Sequence, residues 1–475
     1  MKSFNIVKGL TDAEVRLLVV LGTGAFVLAS TYSSINVALP EIQREFGVSL
    51  SALKWVSIIG AIMVASLSLS FGRIGDLVGR MRIYKAGIIV YTLGAGLTAL
   101  SMSFPQLMAF RVFMAVGLAM SNPLAGAIIA ATVAPEHRGQ AVGIFASFQA
   151  AGQLTGPTFG GIILDLLSWR AIFVSYLAIG VVLCIAQQFF LKGADERRHE
   201  PFDYTGAVLL VLGYPSLLIA LSLGPGAGWG SPLTLAWFAV AAVGLACFTV
   251  RELRFDKPIF HFRFFRSPTF CVAMFTLVVA SFVQNPITLF APLYLQKVLT
   301  VDPLTVGFVM MALPLSTLVA GPLGGSLADR YNPRIIAGSG VIFTLFAVFI
   351  YSRLGVDESL LPVVVALILM GLGAGLFRPS NQVAVYAETE RRDFGALAAM
   401  LVLIQSLAGT LGTTIAVAAN ETRSRGDDAA NFVEGQRFTF TALLPLLLLS
   451  VIVSFLGRTT SRRPQATKTD LEVAG

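Results

Sequence analysis

The sequence predicts an all-α integral membrane fold of 14 transmembrane helices arranged as 6+2+6, and three observations predict it. First, the 475 residues are 56% hydrophobic and only 13% charged, about half the charge of an ordinary soluble chain, and the mean hydropathy is +0.79. Second, apolar runs long enough to cross a bilayer core, about 20 residues each, recur along the whole chain. Third, Lys and Arg gather on alternate connectors, as cytoplasmic loops do.

Residues 1–16 contain Asp12 and Glu14 and lack the basic start and short apolar core of a signal peptide, so they read as a cytoplasmic N-terminus. Spans then follow at 17–39, 52–72, 83–103, 107–132, 140–164 and 171–191, making an N-terminal bundle over 17–191. Two inserted spans, 204–223 and 232–250, occupy 204–250. Six more, at 269–292, 304–325, 335–352, 360–386, 395–419 and 438–457, make a C-terminal bundle over 269–457. Residues 458–475 form a polar cytoplasmic tail without a core-forming pattern. With both termini inside, and Lys54 and Lys85 at span ends counted with their flanking connectors, 24 of the 34 Lys and Arg lie in cytoplasmic segments, 8 outside and 2 within spans.

That topology accounts for the net charge of +8. A nucleic-acid partner is not needed, while anionic lipid head groups suit the basic connectors. Cys184, Cys247 and Cys271 sit in apolar runs and read as packing; His137, His199 and His261 sit in polar connectors without metal-ligand spacing. No nucleophile, metal or acid pair is clustered, so neither an enzyme nor a cofactor is expected. No connector is long enough for the soluble domain of a receptor or scaffold. A monomeric carrier of a small molecule is the expectation that remains.

The chain repeats itself. Gly117, Pro123 and Gln149 recur as Gly373, Pro379 and Gln405, each pair 256 residues apart. GRIGDLVGRMR after the second span is echoed by GGSLADRYNPR after the tenth, with Asp76 and Asp329 offset by 253. Two related halves of six helices with two inserted between them explain both echoes.

Several motifs carry chemistry. Asp76, with Gly72, Gly79 and Arg80 around it, stands at a cytoplasmic helix end, where a carboxylate accepts hydrogen bonds from an arginine or from a neighbouring helix N-terminus. Asp329 and Arg330 hold the equivalent place in the second half. In the fifth span Gly152, Gly156 and Gly160 lie four apart, with Gly161 and Pro157 beside them, a face that admits a close neighbour on a helix bent by its proline. These residues resemble the major facilitator superfamily, in particular its fourteen-helix branch of drug:proton antiporters, over essentially the whole chain. The resemblance implies two rocking halves, a conformational latch at Gly72, Asp76, Gly79, Arg80, Asp329 and Arg330, and an exporter motif at Gly152, Gly156, Pro157, Gly160 and Gly161. It departs at Leu77, where the family has a basic residue, and at Met114 and Ala115 of the fourth span.

It departs most at the end of the first span. STYSSINVALPEI resembles the branch's motif around Asn36 to Pro40, yet Thr31 stands where proton-coupled members have an aspartate five residues before the asparagine. None of the 26 acidic residues falls near a bilayer midplane. Two readings of energy coupling stay open: Glu41 at the outer rim titrates, or coupling is not of the family's ordinary proton type. The expected cavity is polar and positive, with Arg111 and Arg378 accompanied by Tyr32, Asn36, Asn122, Gln149, Gln153, Gln284, Asn285, Asn381 and Gln405. Arg378, beside Pro379, is expected to meet an anionic or polar part of the substrate or to cap carbonyls freed by the proline. Phe282, Phe290 and Tyr294 are expected as aromatic cavity walls, and Asn420 to Arg437 as a polar outer connector. The implied activity is export of amphiphilic drugs or drug-like compounds by alternating access. A lipid or endogenous anionic metabolite is the alternative cargo.

Overall fold

The computed structural model describes residues 9–48, 50–191, 202–255, 260, 262–387, 389–390, 393–423 and 429–456. Every regular element among them is helical: α1 (Asp12–Phe46), α2 (Leu50–Val78), α3 (Arg80–Ala99), α4 (Phe104–Thr132), α5 (Arg138–Leu166), α6 (Trp169–Phe190), α7 (Tyr204–Ala227), α8 (Pro232–Arg254), α9 (Pro268–Lys297), α10 (Pro303–Met310), α11 (Ala312–Arg330), α12 (Pro333–Tyr351), α13 (Leu360–Ala387), α14 (Phe394–Arg423) and α15 (Ala429–Leu456). The tail 458–475, the first eight residues, His199, His261 and the side chain of Asn36 lie outside what is described.

Local chemistry sets the ends. Thr11 caps α1 in a reciprocal capping box with Glu14, and Gly47 ends it in the left-handed region at φ 62°. Ser103, Ser231, Ser267, Asp302 and Asn332 cap α4, α8, α9, α10 and α12, each with proline in the first turn. Gly79 is the single residue between α2 and α3; its φ of 122° is open to glycine and lets the chain reverse there.

Twelve helical stretches among the described residues are long and apolar enough to cross a membrane. One of them, Thr305–Arg330, is the tenth expected span, which is split at Met311 into α10 and α11. The remaining two expected spans, α3 and α5, are of crossing length but more polar: α3 opens with Arg80, Arg82 and Lys85, and α5 carries three glutamines and six glycines. The expected polar connector Asn420 to Arg437 is largely helix instead. α14 runs on to Arg423 and α15 begins at Ala429, and Arg437 is spent on capping, donating from Nε to the carbonyl of Leu354 at 2.7 Å.

Two apolar cores result. One joins α1 to α6 through Leu21, Ile35, Tyr84, Ile128, Trp169 and Phe173. The other joins α9 to α15 and takes in Leu210, Tyr214, Leu218 and Phe248 of α7 and α8, together with Ile62, Ala65 and Leu69 of α2. The α7–α8 hairpin thus packs against the line where α2 and α14 meet, and the Tyr214 hydroxyl donates to the carbonyl of Leu403 at 2.8 Å. Phe290 and Tyr294, expected on a cavity wall, belong to the second core. Phe290 packs tilted against Phe432 and edge-to-face with Phe440, and the Tyr294 hydroxyl donates to Gly355 O at 2.7 Å.

Candidate functional site

At one end of the bundle the halves meet through two carboxylates. Asp76, at the end of α2, accepts from the backbone N–H of Gly395 at 3.0 Å and of Ala396 at 2.8 Å, in the first turn of α14. Asp329, at the end of α11, accepts from Gly139 and Gln140 in the first turn of α5, both at 2.7 Å. An α-helix leaves its first N–H groups without internal partners and partly positive, so each carboxylate supplies what the opposite half's helix lacks. Arg80 adds an ion pair from Nε to Asp76 at 2.7 Å. Arg330 is exposed, and Asp329 draws its hydrogen bonds from backbone N–H groups.

Glycine makes that approach feasible. A Cβ on Gly72 would lie 2.5 Å from both the Gly395 carbonyl oxygen and the Ala399 Cβ, and one on Gly325 would collide with the Gly139 carbonyl. Gly143 and Gly321 continue the α5–α11 contact, and Ser147 closes it by donating to Leu318 O at 2.8 Å. Past Ser147, α5 turns to α1: Gly152, Gly156 and Gly160 rest on the backbone of Phe26, Ser30 and Ser34, while Gln153 and Pro157 are exposed. Gly161 is looser, a Cβ there meeting Val37 only at 4.0 Å.

Two pockets hold the intramembrane arginines. In the first half, Arg111 of α4 shares a pocket with Leu28, Thr31, Tyr32, Gly60 and Leu118. It is buried and donates from Nη2 to Val56 O at 2.8 Å; its Nε has no partner among the described residues. Thr31, in the place of the expected aspartate, donates to Val27 O at 2.7 Å and pairs with the Tyr91 hydroxyl. Next to it the Tyr176 hydroxyl joins Ser30 at 2.7 Å and Ser34 at 2.8 Å, and Ser34 also donates to Gly156 O at 2.6 Å. A neutral hydroxyl network therefore stands where a carboxylate would face Arg111.

In the second half, Arg378 donates from Nη2 to Gln284 Oε1 at 2.9 Å, and Gln405 lines the same cleft. An arginine at the centre of a membrane helix costs about 2.5–3.5 kcal/mol on insertion scales, and one amide acceptor offsets only part of that. Of the other expected cavity residues, Asn381 is buried on α13, Asn285 packs on Gly409 of α14, and Asn122 and Gln149 are half-buried outside both pockets. Glu41 is half-buried towards the far end of α1. Just beyond, Glu45 accepts from Arg170 at 2.8 Å and from the Trp169 indole at 2.6 Å; Arg170 foremost, these bonds hold its carboxyl below the usual range. No group of acidic, histidine and cysteine side chains among the described residues fits a metal ion.

The family model described as Major Facilitator Superfamily matches residues 21–413, and again 269–474. The chain belongs to the major facilitator superfamily. It is therefore a multi-pass membrane transporter and not an enzyme. Among curated relatives, the multidrug resistance protein Stp of Mycobacterium tuberculosis is 30% identical over 84% of this chain and 74% of its own. The riboflavin transporter RibZ of Clostridioides difficile is 26% identical over 84% and 86%. The multidrug transporter protein MdtP of Bacillus subtilis is 26% identical over 82% and 72%. Two solved structures share the superfamily fold. The human organic anion transporter MFSD10 aligns with a TM-score of 0.68 at 16% identity, over 93% of this chain and 99% of that one. A bacterial homologue of the iron transporter ferroportin, in an outward-facing state, gives 0.62 at 15%, over 94% and 99%.

The sequence reading missed Gly139, Gly325, Gly395 and the hydroxyl network. Gly139 and Gly395 lie 256 residues apart, the offset already carried by Gly117 and Gly373, so the repeat held the signal. Nothing local marked Tyr91 and Tyr176, which reach Thr31 and Ser34 from other helices.

Proposed function

We propose that this chain is a secondary active exporter of amphiphilic, drug-like molecules, a member of the fourteen-helix branch working in the cell membrane with both termini in the cytoplasm. The observation that carries the reading is the sealed end. Asp76 and Asp329 cap each other's halves there, while Gln153 and Pro157 further along α5 are exposed. A polar space closed at one end and accessible from the other is one of the two states that alternating access requires. Placing the basic connectors inside makes the sealed end cytoplasmic and the state outward-facing. The small-residue α1–α5 seam and the relatives named as multidrug proteins support efflux of drug-like cargo.

A second reading, export of an endogenous anionic metabolite without ordinary proton coupling, is favoured by one feature. Arg111 faces hydroxyls where coupled relatives have a carboxylate. The relative named as a riboflavin transporter supports a cargo other than drugs.

Efflux of a panel of dyes, antibiotics and organic acids, measured in cells stripped of other pumps, tests both. Lower accumulation of amphiphilic drugs supports the first reading, and lower accumulation of organic acids alone supports the second. Unchanged accumulation of every compound, with the protein present in the membrane, removes both.

A further inference from the structure

Within the C-terminal half a cleft opens between α9, α12, α13, α14 and α15, with Arg378, Gln284 and Gln405 on its polar side. Leu277, Val341, Met370, Phe377 and Leu447 form its apolar bed. We propose that this cleft is a subsite for the anionic head of an amphiphile, a carboxylate foremost, with the apolar body lying on that bed. The inference rests on the small-molecule transport proposed above and names the charge of its cargo.

The donor count points to an anion. A guanidinium carries five N–H donors in a planar fork. Gln284 takes one of them, and no other hydrogen bond to Arg378 is formed among the described residues. By accepting through Oε1, Gln284 fixes the guanidinium and keeps its own NH2 as a donor; the Gln405 carboxamide and the Ser281 hydroxyl add two more around the same space. No acidic side chain lines the cleft. A cationic head would meet an uncompensated like charge, and a neutral head would gain only uncharged hydrogen bonds. A carboxylate matches the fork in shape and charge.

Arg111 is the less suitable of the two arginines. It is 5% exposed, and the residues around it leave a smaller pocket. The cleft at Arg378 lies wholly within one half, so an anion held there travels with that half as the molecule rocks.

Binding of three fluorescent probes of one shape to the purified full chain in nanodiscs tests the site. The probes are naphthoate, naphthamide and naphthylmethylammonium. Naphthoate is expected to bind at least about 10-fold tighter than naphthamide, and the ammonium weakest. Arg378→Gln is expected to weaken naphthoate by about 10- to 100-fold while naphthamide changes little. Arg378→Lys, which keeps the charge, is expected to keep the order. Equal affinity for the three heads, absence of naphthoate binding, or a preference that survives Arg378→Gln overturns the proposal. Should Arg378→Gln fail to fold, Arg378→Met is read instead, with the same loss of naphthoate preference expected and an unchanged preference decisive against it. Because this is equilibrium binding, its failure leaves the cellular efflux result intact, and failed efflux with selective naphthoate binding faults the transport reading alone.

Discussion

Asp76 and Asp329 occupy equivalent places in the two halves, and each accepts two backbone hydrogen bonds from the helix that the repeat assigns to the opposite half. The partners match as well: Gly139 and Gln140 on one side, and Gly395 and Ala396 on the other, lie 256 residues apart. The sealed end is thus one contact made twice about a pseudo-twofold axis.

Asp76→Asn and Asp329→Asn remove the charge while keeping one acceptor oxygen. Each is expected to shift the balance away from the sealed state by about 1.5–3 kcal/mol, the usual worth of hydrogen bonds to a charged group. Faster alkylation of Ser147→Cys, in a background lacking Cys184, Cys247 and Cys271, reads the opening. Equal alkylation rates in all three proteins would show that the caps do not hold this end closed.

Gly325→Ala places a methyl group against the Gly139 carbonyl, whereas Gly307→Ala meets nothing within 4 Å. The first is expected to abolish transport with expression intact, because α5 and α11 can no longer close, and the second to leave it unchanged. Equal transport by both variants would contradict the close approach.

The α1–α5 seam separates two motif glycines, Gly156 and Gly161, by the space each has. A Cβ on Gly156 would overlap Ser33 and press on the Ser30 backbone, while one on Gly161 sits 4.0 Å from Val37. Overpacking of this kind costs about 1–3 kcal/mol. Gly156→Ala is expected to lower the midpoint of thermal unfolding in detergent by several degrees and Gly161→Ala to have little effect; the reverse order would place the seam elsewhere.

Energy coupling is tested at Glu41. In proteoliposomes with an imposed pH gradient, Glu41→Gln abolishes gradient-driven efflux with binding preserved if this carboxyl titrates. Without a titrating acid, export of a monoanion moves net charge. Efflux then answers to a valinomycin-set potential at about 2.3 kcal/mol per charge per 100 mV, and Glu41→Gln changes nothing. A response to neither gradient would mark facilitated diffusion.

Glu45, held below the ordinary carboxylate range chiefly by Arg170, gives a signed pH effect. Its depressed value means that the contact contributes stability above the usual glutamate range, about pH 4–5, and loses it as pH falls through the lower folded value. Glu45→Gln is expected to flatten that part of a stability profile; an identical acid limb in both proteins would show the contact to be idle.

Much of the site was legible because its residues carry their chemistry locally. Asp76 at a helix end announces a cap, and glycines four apart announce a close neighbour; both are present in the structure. Arg378 was legible as an intramembrane charge, but its acceptor Gln284 stands 94 positions away and was one of several polar candidates. Phe290 and Tyr294 were misplaced because a helix crossing both a core and a cavity shows the same apolar stripe towards either.

The sequence by itself determined the all-helical membrane fold, the repeated motifs and the want of a midplane acid, since each follows from the length of apolar runs, a fixed offset or a residue's identity. Only the tertiary structure decided that Asp76 and Asp329 cap each other's halves, that Thr31 ends in a hydroxyl network beside Arg111, and that Arg378 retains unused donors. Those are pairings between helices far apart in the chain. Burial in lipid obliges every helix to satisfy its own backbone but leaves open which neighbour completes its ends and its polar side chains.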